Sequence, residues 1–82
     1  MRGTLHLRYS LARAGRVQLA LNDALGRRVR VLRSGTEQAG AHDIVWDGRD
    51  DAGRELPAGL YFACLRSGDT FSVQRIVRVF GV

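Results

Sequence analysis

Apolar residues recur at every second position along this chain. Leu5, Leu7 and Tyr9 alternate with His6 and Arg8, and Val17, Leu19 and Leu21 alternate with Gln18 and Ala20. Val29 and Val31 alternate with Arg28 and Arg30, while Ile44 and Trp46 flank Val45. Tyr61, Ala63 and Leu65 alternate with Phe62, Cys64 and Arg66, and Phe71, Val73, Arg75, Val77 and Val79 share one face of the last segment. Successive side chains of an extended chain point to opposite sides, so each segment reads as a strand with its more apolar face buried. No segment sustains the 3.6-residue period of a helix.

Turn signals separate these segments at intervals of about 8 to 12 residues. Glycines fall in the stretches 11–15, 23–26, 33–35 and 67–69, where the chain must reverse. Asp23 to Gly26 suits a type I turn, with Asp at its first position and Gly at its fourth. Gly15-Arg16, Gly26-Arg27 and Gly53-Arg54 end three such stretches alike, which implies one turn solution used three times. Residues 34–41, SGTEQAGA, are small and polar and read as a loop crossing from one sheet to another. Six strands, with a short seventh near residues 54–56, predict an all-β, antiparallel immunoglobulin-like sandwich of about seven strands. Trp46 is then the large residue between its sheets.

Length and composition narrow the picture further. Eighty-two residues support one small domain, 1–82, and the 45% apolar content fits a folded globule rather than a disordered one. No apolar run is long enough to span a membrane, and the N-terminus lacks a signal peptide's continuous apolar stretch. An export signal is expected outside this sequence. The net charge of +5 comes from thirteen arginines and no lysine. Arginine suits phosphate and carboxylate, so nucleic acid must be considered. These arginines form no basic run, however, and no aromatic residues interleave with them as stacking platforms. An ordinary solvated surface is the better reading, and nucleic acid is an unlikely partner. Cys64 is the only cysteine, which excludes an internal disulfide and a multi-cysteine zinc site. His6 and His42 have no ligand-spaced companions, and no cofactor is expected.

The densest chemistry lies in WDGRDDAGRELPAGLYF, residues 46–62. Calcium loops set acids at alternating positions, whereas here they stand at Asp47, Asp50 and Asp51 with Arg49 between them. A metal site on these three is therefore the weaker alternative. A catalytic carboxylate pair needs two acids facing each other across a cleft, which adjacent Asp50 and Asp51 do not suggest. The stronger reading is architectural. Asp47 ends the tryptophan strand and accepts backbone N–H groups of the turn, and Gly48 allows the sharp departure. Asp50 to Gly53 forms a second turn, Pro57 stops further pairing, and Gly59 admits the chain to the Tyr61 strand.

These residues resemble the FlgD immunoglobulin-like family, and are similar to the related C-terminal sorting domains of type IX secretion. The family pattern is matched at Asp23, Gly26, Arg27, Val29 and Arg30, and again at Trp46, Asp47, Gly48, Asp50, Gly53, Gly59 and Tyr61. The resemblance implies a non-catalytic β-sandwich, carried at the C-terminus of larger exported bacterial proteins and in the flagellar hook-capping scaffold. Sorting tails often carry a lysine in the last strand, where this chain has Arg75 and Arg78.

Arg75 interrupts an otherwise apolar face, so it is expected to pair with Asp43 or Asp23 or to extend its stem over the core. Arg28, Arg30, Arg75 and Arg78 form a candidate interaction surface for anionic lipopolysaccharide or an acidic partner. The resulting expectation is a secreted or cell-surface module for sorting, anchoring or assembly, binding secretion or envelope-assembly proteins or other domains of its parent. A structural scaffold or adhesion module without a sorting role is the alternative.

Overall fold

A computed structural model describes residues 5–79. The expected domain of residues 1–82 therefore includes two short ends, 1–4 and 80–82, that lie outside the described residues. Six strands follow in order: β1 (Leu5–Leu11), β2 (Gly15–Asp23), β3 (Arg28–Glu37), β4 (Gly40–Trp46), β5 (Gly59–Ser67) and β6 (Thr70–Arg78). They form an antiparallel immunoglobulin-like sandwich. One sheet contains only β1 and β4, and the other has the order β3-β2-β5-β6.

The count is six among the described residues rather than seven. The segment proposed as a seventh strand contributes one isolated bridge, Arg49 to Glu55. The polar stretch 34–41 is likewise mostly strand. β3 stays paired with β2 as far as Glu37 opposite Gly15, and β4 begins at Gly40 opposite Leu11. Backbone pairing overrides side-chain polarity here, leaving a crossing of only two residues.

Leu7, Leu19, Leu21, Trp46, Tyr61, Ala63 and Ile76 build the core, with Trp46 and Leu21 wholly buried. Burying a side chain of this size contributes roughly 1.5–3 kcal/mol for each aliphatic residue. The β1, β2, β4 and β5 apolar sets pack inward at the parity read from the sequence.

The other two strands depart from the simple period. In β3, Leu19 faces Arg33 but Ala20 faces Val31, and Leu21 faces Arg30 but Asn22 faces Arg28. Each shift leaves one β3 residue over, so Val29 and Leu32 reach the core in place of Val29 and Val31. In β6 the expected face is reversed. Ile76 stands opposite Tyr61 and is buried, while Phe71, Val73 and Val77 point away from the core. Register with β5 decides the parity, and it turns the richer apolar face outward.

Candidate functional site

Trp46 organises the acidic loop from inside. Its ring meets Tyr61 edge-on at 5.6 Å, and its indole Nε1–H donates to the Arg49 carbonyl at 3.0 Å. That bond draws the loop back over the end of the core. Asp47 Oδ1 accepts the Arg49 backbone N–H at 3.0 Å and Arg30 Nη1 at 3.1 Å. Burial acts to raise the Asp47 pKa, but the Arg49 N–H and the Arg30 charge outweigh it and hold the carboxyl below its ordinary value.

Asp50 builds the next turn. Its Oδ1 accepts the N–H groups of Ala52 and Arg54 at 3.0 and 2.9 Å, and its Oδ2 lies 3.3 Å from Arg54 Nε. The Arg54 N–H, followed by the charge of that arginine, depresses the Asp50 pKa against a smaller opposing effect of burial. Asp51 faces elsewhere again. Its N–H donates to the Val29 carbonyl, and its Oδ1 accepts the Val31 N–H at 3.1 Å. The loop thus covers the outer edge of β3, whose unpaired backbone groups would otherwise invite another strand.

The three aspartates do not converge. Asp47 and Asp51 both face Arg30, at 3.1 and 3.9 Å, Asp50 is held by Arg54, and among the described residues no three acid, histidine or cysteine side chains gather into a group that could hold a metal ion. A shallow depression of about 530 Å³ beside the loop is lined by Asp23, Asp50 and Asp51, but also by Arg27, Arg28 and Arg54. Its acids stand among cations rather than around an ion-sized void.

Past the turn, Leu56 N–H donates to the Gly48 carbonyl, and Tyr61 Oη–H donates to the Pro57 carbonyl at 2.6 Å. The chain then enters β5 at Gly59, opposite Arg78. A tyrosine tied back to the preceding connection is a recurrent corner of immunoglobulin-like sandwiches. Asp23 and Gly26, at the same end of the molecule, close the β2–β3 hairpin. Asp23 Oδ1 accepts the N–H groups of Leu25 and Arg27, chiefly the latter, which lowers its pKa.

The four arginines proposed as one surface separate into two pairs. Arg30 bends into the loop, where Nη1 donates to Asp47 and, at 2.8 Å, to the Arg49 carbonyl. Arg78 is only 5% exposed. Its guanidinium lies 5.8 Å from the Trp46 ring centre, donates to the Leu56 carbonyl at 3.0 Å and reaches Glu55 at 3.3 Å. A buried arginine needs such partners, and here it fastens the loop to β6. Arg30 and Arg78 therefore belong to the architecture rather than to an open surface.

Arg28 and Arg75 remain outside. The acids expected to pair with Arg75 are engaged elsewhere, Asp43 with Arg8 at 3.1 Å and Asp23 with Arg27 at 2.9 Å. Arg75 stands exposed on the outer face, opposite Phe62. Arg66 joins that face across from Phe71, and its guanidinium lies 5.0 Å from the ring centre. The sequence reading missed Arg66 as part of this surface, although it did place Arg66, Phe62 and Cys64 on the strand face opposite Leu65. That β5 is apolar on both faces was the available signal.

Comparison with known proteins agrees with this geometry. The profile of the FlgD Ig-like domain matches residues 3–66. The basal-body rod modification protein FlgD of Salmonella typhimurium is 40% identical over 48 residues, which cover 58% of this chain and 21% of that protein. The Salmonella typhi protein matches equally. Among solved structures, FlgD from Xanthomonas campestris, described with insights into hook capping essential for flagellar assembly, superposes with a TM-score of 0.70. It is 26% identical, with 95% of this chain and 57% of that chain covered. FlgD from P. aeruginosa shares the fold at a TM-score of 0.73 and 23% identity, over 92% of this chain and 61% of that one. The matched regions cover less than two thirds of each relative's length. This chain belongs to the FlgD immunoglobulin-like domain family.

Proposed function

We propose that residues 1–82 form one non-catalytic structural module of a larger protein, acting in an extracytoplasmic assembly of the flagellar hook-capping kind. The observation that carries this reading is the match to FlgD across residues 3–66, the region containing both aspartate turns and Trp46. The chemistry is consistent with it. The loop aspartates and Arg30, Arg54 and Arg78 are consumed in holding the loop, and none is arranged to act on a bound substrate. A sandwich whose acidic loop carboxylates are matched by its own arginines and backbone donors suits a part that is built into an assembly.

Secretion sorting is the other role the family resemblance brings, and the matched relatives favour it less because they are FlgD proteins. The two roles separate experimentally. Deleting this module from its parent protein in the native host is expected to stop assembly of the surface structure while the parent is still exported. Loss of export together with the module would favour sorting instead.

A further inference from the structure

The outer face of the four-stranded sheet lies away from the core, and among its residues Arg28 also borders the depression beside the acidic loop. Strand register lays this face out in rows. Val31, Ala20, Cys64 and Val73 form the central row across the four strands. Beside it run Arg28, Asn22, Phe62 and Arg75, and on the other side Ser34, Gln18, Arg66 and Phe71. Leu60 and Val77 close one end. A hollow of about 230 Å³ opens over Ala20 and Cys64, where the small side chains sit between larger neighbours.

Two properties set this face apart. Its hydrophobic content is high for solvent, with Phe71, Val73 and Val77 exposed at 54%, 52% and 66%. In β6 the large apolar residues point outward, while Ser72 and Gln74 take the inner parity. A strand that is apolar on a face away from its own core is ordinarily covered by something else. Its charge is also of one sign. Arg16, Arg28, Arg66 and Arg75 point outward, the four strands set no carboxylate on this face, and none of the four arginines forms an ion pair among the described residues.

We infer that this face docks a protein surface combining an apolar stripe with carboxylates, the apolar side chains entering the Ala20–Cys64 hollow and the carboxylates meeting Arg28, Arg66 and Arg75. A second copy of the chain is a poor occupant, because face-to-face pairing would oppose cations with cations. Arginine forks favour carboxylate geometry, and small residues forming a hollow suit a protruding partner better than insertion into a bilayer. The inference deepens the scaffold reading and rests on it for the partner being a protein.

The probe is a fluorescent amphipathic peptide of about 20 residues, with leucines at helical i, i+3, i+4, i+7 spacing flanked by glutamates. Binding to the full chain is followed by anisotropy at low salt and at about 0.5 M. The expected result is salt-sensitive binding, weakened about tenfold or more both in the Arg66→Glu/Arg75→Glu variant and in the Val73→Ser/Val77→Ser variant. A lysine version of the peptide is expected to prefer the charge-reversed variant. All changes lie on exposed positions, and Arg8→Glu on β1 serves as an unaffected control. Equal binding by the charge-reversed variant overturns the inference. So does a dimer abolished by Val73→Ser/Val77→Ser, which assigns the face to a second copy, or binding confined to phosphatidylglycerol vesicles, which assigns it to lipid. The deletion experiment reads assembly and export instead, so either conclusion can fail without the other.

Discussion

The turns at residues 23–27 and 50–54 carry nearly the same bonds in two different settings. In each, the backbone N–H of the first aspartate donates to the carbonyl of the arginine four residues on, at 2.8 Å in one and 2.9 Å in the other. In each, one carboxylate oxygen accepts two backbone N–H groups and the other meets the arginine Nε. Gly26 and Gly53 even share a φ of 86°. The first turn simply closes the β2–β3 hairpin. The second lies inside a connection between sheets and is bound on one side by Trp46 and Arg30 and on the other by Arg78. Identical local chemistry therefore holds a hairpin in one place and anchors the end of the core in the other. The third Gly-Arg pair, Gly15-Arg16, lacks an aspartate four residues before the arginine, and Gly15 is absent from the positive-φ glycines. The turn solution is used twice, not three times, because the aspartate is what makes it.

The sharpest way to break the comparison is to remove the anchor. Trp46→Ala is expected to cost about 3–5 kcal/mol, the scale of deleting a buried aromatic residue, and to release the second turn while leaving the first intact. Denaturant unfolding measures the loss, and hydrogen exchange at the Ala52 and Leu25 amides tests the asymmetry.

Alanine at glycine positions comes next. Gly48 has φ +83°, and a Cβ there would overlap the Arg78 guanidinium, so Gly48→Ala is expected to cost about 2–3 kcal/mol. Gly26→Ala and Gly53→Ala meet open space and suffer only the left-handed backbone strain, about 1–2 kcal/mol each. Thermal melts of the three variants would test the order. A Gly53 cost matching that of Gly48 would show that the turn itself, rather than its fastening to Arg78, governs the loop.

Acid gives the smallest effect. The carboxyl groups of Asp23 and Asp50 sit below their ordinary pKa, chiefly through the backbone N–H groups of Arg27 and Arg54. A depressed folded pKa adds stability above the unfolded value of about 3.9, and that stability fades as pH falls through the folded value. The melting temperature is therefore expected to drop as pH falls below about 4. Asp23→Asn and Asp50→Asn should each flatten that slope to a similar degree, and unequal flattening would show that the two turns are not energetic equals.

Much of the sandwich was legible because period-two patterning is a local property. The β1, β2, β4 and β5 faces needed only the alternation of their residues. What the alternation does not contain is which parity faces the core when both are plausible. Arg75 was read as interrupting a buried face, yet β6 takes its parity from pairing Ile76 with Tyr61. The two β3 irregularities escaped notice for the same reason, since an extra residue becomes visible only against a partner strand. Within the acidic loop, backbone acceptance by Asp47 and the Asp50 turn were readable from residue type and spacing. Arg30 and Arg78 were not, because their acceptors lie 17 and 22 residues away.

The sequence by itself determined the strands of an all-β chain, the chemistry of its aspartate–glycine turns and the resemblance to the FlgD module. Those follow from side-chain alternation and from contacts only a few residues long. Tertiary structure decided which arginines are consumed and which are presented. It buried Arg78 beneath the loop, left Arg28, Arg66 and Arg75 outside, and turned the apolar face of β6 toward solvent. Such assignments depend on register between strands distant in sequence, where a shift of one residue exchanges every inward side chain for an outward one.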